Sequence, residues 1–365
     1  MKHYLLFLIP FILLSCGGES SNSESEINNT VLAEPVELYG STQGTTFAII
    51  CNDSISITME EVNLILSNFD DALSSYIPNS ILTKLNNFGA GTFVYQDTYN
   101  YFNRCYEMAL SVHKITKGAF DPSVYPLVDG WGFMKDLEIV PDSVIVDSLR
   151  TLLGFQNGYH FNFSGEISDD SLKTFSIVKN TPNAKLDFNA IAQGLAVDVL
   201  AEELEIRGAK NYFVEIGGEI RVSGNNADGV PWRIGIDKPV ENSNEGTREL
   251  QEIVNVENKS IATSGSYRKF YEKNGIKYSH TLDPLTGYPV THSLLSATVV
   301  TESCAMADAI ATAFMVMGPE ESIAFIDANP QLDLDVYFIF INEYDEFETF
   351  YTPDFGKMID LNSAP

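Results

Sequence analysis

The spacing of apolar and polar positions changes period repeatedly along the 365-residue chain. Residues 36–51 alternate across "YGSTQGTTFAII" and predict a first strand. Val62, Ile65, Leu66, Phe69, Leu73 and Tyr76 then recur at helical spacing. They predict an amphipathic helix over 60–76, with Pro78 behind it as a stop. A short helix is predicted over 80–86. A third carries the stripe Phe102, Cys105, Ala109, Val112 and Ile115 and ends at Gly118. Residues 119–133, "AFDPSVYPLVDGWGF", hold two prolines, two glycines and several aromatics, and read as a long ordered loop.

Beyond that loop, a helix is predicted over 141–153, strands over 174–179 and 185–188, and a helix from about Ala190 to Arg207, capped by Gly208. Strands follow at 211–216 and 219–223, joined by the Gly217-Gly218 turn, and then at 232–237. Residues 240–250 are polar and read as a surface loop. Further strands are predicted at 251–257, 277–282 and 294–301. A small-residue apolar helix starts near Ser303, a good N-cap, and stops at Gly318-Pro319. A helix-strand-strand segment closes the chain. Strands mixed irregularly with helices, many of them joined by hairpin-like turns, predict an α+β fold rather than a doubly wound sheet.

Composition adds constraints to this outline. The formal net charge is −28, a surface that repels nucleic acid and anionic lipid heads. An anionic small molecule would need local donors or a metal. Residues 1–15 have the pattern of a secretory signal, with Lys2 and His3 before a short apolar run. They end in Leu13-Leu14-Ser15-Cys16-Gly17, which resembles a bacterial lipobox with Cys16 as the lipidated residue. Residues 16–35 read as a tether, and the whole as a protein anchored to a membrane rather than spanning it. Cys51, Cys105 and Cys304 match no zinc spacing and read as buried free thiols.

Four stretches carry candidate chemistry. In "SCAMADAIATAF", Asp308 and Thr312 are four apart and share one helix face. A carboxylate and a hydroxyl aimed at one point suit Mg²⁺ or Ca²⁺ better than zinc. Taken alone, the pair reads more readily as an Asp bonded to a distant base and a Thr bonded to its own helix. "LDFNAIAQGLAVD" runs from a strand end at Asp187 into a helix start with small residues, where a backbone can approach phosphate. Close helix–sheet packing explains it equally. "YSHTLDPLTGYP" sets His280 near Asp283, the usual general-base pairing. "IATSGSYRKF" clusters Ser264, Gly265 and further hydroxyls ahead of Arg268, donors suited to phosphate or ribose, or a hairpin turn.

Their order along the chain is more specific than any one of them. "GSTQGTTF", "SSYIPNSILTKLN", "GAFDPSVYPL", "LDFNAIAQGLAVD", "VEIGGEIRVSG", "ATSGSYRKF", "YSHTLDPLTGYP" and "ADAIATAFMVMG" together resemble the ApbE family of FAD:protein FMN transferases, from about residue 38 to about residue 320. The resemblance implies a T-fold-like α+β domain over residues 36–365, with mixed sheets, packed helices and a flavin site between two lobes. It implies a Mg²⁺-dependent enzyme that takes FAD as substrate, attaches FMN to a Thr or Ser hydroxyl of an acceptor protein and releases AMP. The implied acceptors are subunits of Na⁺-translocating NADH:quinone reductase or Rnf-type complexes. The implied location is the periplasm-facing cell envelope, anchored at the inner membrane.

By resemblance, Asp308 and Thr312 hold the metal with the backbone of Ala190, and the backbone of Ala311 lies nearby. The implied flavin contacts are Tyr76, Ala119, Phe120, Asp121, Asp187 and the segment at Leu282. The chain departs from the family pattern at Gln193, where a Lys is usual, at Gln43, where a Met is usual, and in "VEIGGEI" for "VNIGGDI". At position 193 a cationic contact with FAD becomes that of a neutral amide. His280 is expected to accept the acceptor's proton, with Asp283 orienting its ring. The same site would serve an FAD pyrophosphatase or a non-catalytic flavin-binding lipoprotein.

Overall fold

A computed structural model describes residues 35–133, 140–155, 160–168, 173–240, 249–266, 270–273 and 276–361. The predicted signal segment, the tether as far as residue 34 with Cys16, loop residues 241–248 and Arg268 lie outside the described residues.

The alternation over 36–51 is interrupted at its centre. Gln43 (φ 50°) and Gly44 (φ 77°) are both left-handed. The segment therefore folds back as a two-residue hairpin of β1 (Val36–Thr42) and β2 (Thr45–Cys51), not one strand. Period two continues on either side of the turn, so the pattern alone hides the reversal. The other strands are β3 (Gly91–Gln96), β4 (Phe161–Ser168), β5 (Thr174–Lys179), β6 (Tyr212–Ile216), β7 (Glu219–Ser223), β8 (Trp232–Asp237), β9 (Leu250–Val256), β10 (Ser260–Gly265), β11 (Phe270–Lys273), β12 (Ile276–Ser279), β13 (Leu294–Thr301), β14 (Asp335–Ile341) and β15 (Phe347–Tyr351). The helices are α1 (Met59–Leu73), α2 (Ile81–Asn87), α3 (Tyr101–Ile115), α4 (Tyr125–Gly130), α5 (Ser143–Arg150), α6 (Ala192–Ile206), α7 (Cys304–Ala328) and α8 (Pro353–Met358).

The main sheet runs β1-β2-β6-β7-β10-β13-β14-β15, with every neighbouring pair antiparallel. β3-β5-β4 form a second sheet, and β8-β9 and β11-β12 form two ribbons. The α+β expectation holds in this form. Strand alternation divides the core between the faces of the main sheet. Phe47, Ile49, Val214, Ile216, Ala297 and Val299 face α1, α3, α6, α7 and the three-stranded sheet. Ile220, Val222, Ile261, Val300 and Tyr337 face Trp232, Ile234, Val254 and Phe355 of the β8-β9 ribbon and α8. Each fully buried Phe, Leu, Ile or Val contributes about 1.5–3 kcal/mol. Cys51, Cys105 and Cys304 are free and buried.

Several expectations need correction, each for a local reason. Residues 185–188 form no strand, although Leu186 and Phe188 alternate into the core. The Asn86 side chain takes the place of a partner strand, accepting from the Leu186 N–H and donating to its carbonyl, both at 2.8 Å. The segment 119–133 is not simply a loop. Asp121 caps a 3₁₀ turn at Pro122–Val124 that leads into α4. Its two prolines occupy helix starts, where a missing N–H costs nothing. α1 ends at Leu73, short of Tyr76, because Ser74 turns extended and its hydroxyl takes the Tyr76 N–H. The sequence pattern predicts none of β3, β4, β10 and β11. α7 breaks at Gly318 (φ 78°), and Pro319 opens a second helical segment beyond the kink. By length and composition α7 could cross a membrane, but here it packs in the core.

α6 and α7 cap each other. α6 has no side-chain cap of its own. Asp308, from α7, accepts the Gly194 N–H in its first turn at 3.2 Å. In return Asp198, from α6 and 1% exposed, takes the Cys304 and Ala305 N–H groups at 3.0 Å and the Ser303 hydroxyl at 2.8 Å. Arg221 on β7 completes the Asp198 shell at 3.0 Å. The contact needs a glycine, because a Cβ at Gly194 would lie 2.5 Å from the Cys304 carbonyl oxygen. Asp198→Ala, which strands Arg221 and the α7 amides, is expected to cost about 3–5 kcal/mol in urea unfolding.

Candidate active site

Because neighbouring strands are antiparallel, several candidate segments gather at one end of the main sheet. Phe47 pairs with Ile216, Ile220 with Ile261, and Gly265 with Ser296. This registry aligns the Gln43-Gly44 turn, the Gly217-Gly218 turn and the end of β10 with Ser264 and Gly265. The Gly217-Gly218 turn lies between the start of β2 and α6: a Cβ at Gly217 (φ 64°) would lie 2.9 Å from Thr45 Cγ2 and 3.2 Å from Gln193 Nε2. Gln193 therefore packs beside the Gly-Gly turn, and Ala190 sits in the turn just before α6.

Over this end lies α7. Asp308 is 6% exposed and Ala311 is fully buried. Thr312, one turn beyond Asp308, has its hydroxyl 3.2 Å from that of Ser264. Burial pushes the Asp308 carboxyl up to about 7, with the Gly194 N–H acting in the opposite direction. Glu219 on β7 is buried too, and its Oε2 has no hydrogen-bond partner among the described residues. Burial, and then the charge of Asp308, hold the Glu219 carboxyl well above the usual range. Glu219 stood out in the sequence only as a departure from a pattern. Strand alternation on β7 was the signal for it, since Ile220 and Val222 turn to the opposite face.

This donor set is rich in hard oxygen and short of positive charge. It fits Mg²⁺ or a similar dication better than a soft metal. Among the described residues no three His, Cys, Asp or Glu side chains cluster to hold a metal. A cation here would rest on Asp308 and Thr312, backbone carbonyls and the oxygens of a ligand.

A second group forms where the 119–133 and 186–189 segments meet. The Asp187 N–H donates to the Pro122 carbonyl at 2.7 Å. Its carboxylate takes the Asn189 N–H at 2.8 Å, and burial raises its pKa. Asp121 takes the Ser123 N–H at 2.7 Å and lies 3.8 Å from His113 Nδ1. Burial raises its carboxyl, offset mainly by His113. Ala119 and Phe120 are buried beside it.

The 280–289 turn packs on the same segment. Trp131 Nε1 donates to the Gly287 carbonyl at 2.8 Å, and Leu282 is buried with Leu127, Trp131 and Val146. Asp283 uses one carboxylate oxygen to close its own turn, accepting the Leu285 N–H at 2.8 Å. His280 is half-buried at the head of this turn. Tyr76 stands 75% exposed between α1 and α2.

Comparison with known proteins follows the same motifs. The ApbE family model matches residues 43–338. An FAD:protein FMN transferase of Vibrio cholerae is 37% identical over 336 residues, 90% of this chain and 92% of the relative. One of Haemophilus influenzae is 33% identical over 313 residues, 83% of this chain and 86% of the relative. The solved structure of the flavin transferase ApbE from Vibrio cholerae superimposes with a TM-score of 0.75 at 34% identity, covering 89% of this chain and 99% of that one.

The raised Asp308 carboxyl has a consequence for stability. The folded protein favours the neutral acid, so this contribution is full below about pH 4 and is lost as pH rises through about 7. Glu219 acts in the same direction. In urea unfolding after chelator treatment, the protein is expected to be more stable at pH 5 than at pH 8. Asp308→Asn is expected to flatten that difference.

Proposed function

The chain belongs to the ApbE family, and on that premise we propose that it is an FAD:protein FMN transferase working at the Asp308 end of the main sheet. The observation that carries the reading is the oxygen set made by buried Asp308 and the half-buried hydroxyls of Thr312 and Ser264 beside the crossing of α6 and α7. FAD brings a doubly charged pyrophosphate to a protein of net charge −28. A dication held by Asp308, Thr312 and the Ala190 carbonyl would offset that charge and stabilise the leaving AMP phosphate.

In the proposed reaction a Thr or Ser hydroxyl of the acceptor attacks the FMN-side phosphorus of FAD in line. The bond to the AMP phosphate breaks as the new phosphoester forms. His280 takes the hydroxyl proton. Asp283, which stiffens the turn behind it, is assigned to keep the ring in position. Asp121, Asp187, Phe120 and Leu282 line the flavin side, and Gln43 and Gln193 offer neutral amides to the ligand. Tyr76, free of the α1 helix, is available to cover the ring. The flavin would lie between two lobes of the domain.

We further propose that Cys16 carries a lipid anchor, with residues 16–35 as tether and the enzyme facing the periplasm from the inner membrane. The proposed acceptors are flavin-carrying subunits of Na⁺-translocating NADH:quinone reductase or Rnf-type complexes.

Incubation with FAD, Mg²⁺ and such an acceptor should leave flavin fluorescence on the acceptor band in a denaturing gel. His280→Ala is expected to slow transfer by about 10²–10⁴-fold, and full activity in that variant would remove His280 from the chemistry. Asp308→Ala is expected to abolish metal-dependent transfer. FAD cleavage with only free FMN as product would favour a pyrophosphatase, and bound FAD with no AMP formed would favour a flavin-binding protein.

A further inference from the structure

We infer that Glu219 is a further residue of the divalent-cation site, supplying a second negative charge beside Asp308 and strengthening cation binding. The inference rests on the proposal that Asp308 and Thr312 hold a cation, and it concerns what else in this chain serves that cation.

Successive side chains on β7 point to opposite faces of the sheet. Ile220 and Val222 join the core against the β8-β9 ribbon. Glu219 and Arg221 therefore point to the face that α6 and α7 cover. Arg221 meets acids there, at 3.0 Å from Asp198 and 2.9 Å from Glu205. Glu219 meets none of the chain's bases among its described contacts. It is 8% exposed, and its Oε2 is buried without a hydrogen-bond partner among the described residues. The charges that act on it are those of Asp308, another buried carboxylate, and then of Glu215, with only its own backbone N–H acting the other way.

An unpaired buried carboxylate is costly, and two facing each other are more so. Such a pair persists when a cation or a proton lies with it. Asp308 already accepts the Gly194 N–H with one oxygen, and Thr312 and Ser264 add hydroxyls nearby. The set as a whole is all oxygen, the chemistry that Mg²⁺ and Mn²⁺ accept. With the cation present, the Glu219 carboxylate has the partner that the rest of the chain does not give it. The Gly217-Gly218 turn, both glycines at positive φ, brings β7 in at this point.

The test measures cation binding directly, without turnover. Full-length protein is treated with chelator, and Mn²⁺ is titrated while free Mn²⁺ is followed by electron paramagnetic resonance. Wild type, Glu219→Gln and Asp308→Asn are compared, with far-UV circular dichroism to check folding. Glu219→Gln is expected to weaken Mn²⁺ binding about 10–100-fold. Without metal it is also expected to unfold at a higher temperature than wild type, because an amide enters this site without the cost of taking a carboxylate out of water. Unchanged affinity in Glu219→Gln, with binding lost in Asp308→Asn, would overturn the role of Glu219 and leave the cation site standing. Unchanged affinity in both variants would overturn the cation site as well. If Glu219→Gln does not fold, Glu219→Asp keeps the charge but withdraws it by one methylene. A smaller loss is then expected, and unchanged affinity would again overturn the inference.

Discussion

The structure depends on the reciprocal capping of α6 and α7. Each helix gives the other an aspartate where its first turn would leave amides unpaired. Asp198 is four residues past Gly194, and Asp308 is four past Cys304, so the two contacts mirror one another. Gly194 lets the helices approach until backbone meets backbone. Asp198 is fully committed, to three groups at the α7 start and to Arg221. Asp308 is only partly committed, with one oxygen on one amide. That asymmetry leaves one aspartate structural and the other open to ligand chemistry.

The electrostatics of the site follow from the same crossing. A helix N-terminus at Gly194 carries partial positive charge, yet Asp308 and Glu219 bring two carboxylates into a dry region beside it. The local balance is negative inside a protein that is acidic throughout. A phosphate ligand would enter such a place only with a counter-ion, and the oxygen donors are of the kind that a hard dication accepts. The acidity of the whole chain and the buried acids of the site thus make the same demand. Asp121 and Asp187, both half-buried, are likewise acids tied by their own turns rather than by a lysine or arginine.

Much of this was readable from local sequence. The helical stripes of α1 and α3, the Gly208 end of α6, the Ser303 cap and the Gly318-Pro319 break are features within one turn of their cause. Asp308 and Thr312 were legible for the same reason, being one helical turn apart. What escaped notice depends on distant partners. Asp198 caps a helix 105 residues away, and Asn86 replaces a strand partner 100 residues away. Ser264 was read as a ligand donor, but its closeness to Thr312 requires β10 to be a central strand, which its small hydroxyl residues did not suggest. Glu219 shows in the sequence as a departure from a pattern on an alternating strand, but its burial depends on β7 lying under α6 and α7. The resemblance to a family supplied the order of motifs, and the fold supplies the reason they converge, since antiparallel pairing gathers alternate turns at one sheet end.

In the proposed reaction FAD is cleaved by transfer to a protein hydroxyl and not by water. The ratio of AMP released to FMN covalently attached, followed by chromatography and intact-protein mass spectrometry of the acceptor, separates the two. AMP and attached FMN are expected to rise together in equal amounts, and both to cease when divalent cations are removed. AMP accumulating with free FMN, while the acceptor mass stays unchanged, would contradict transfer.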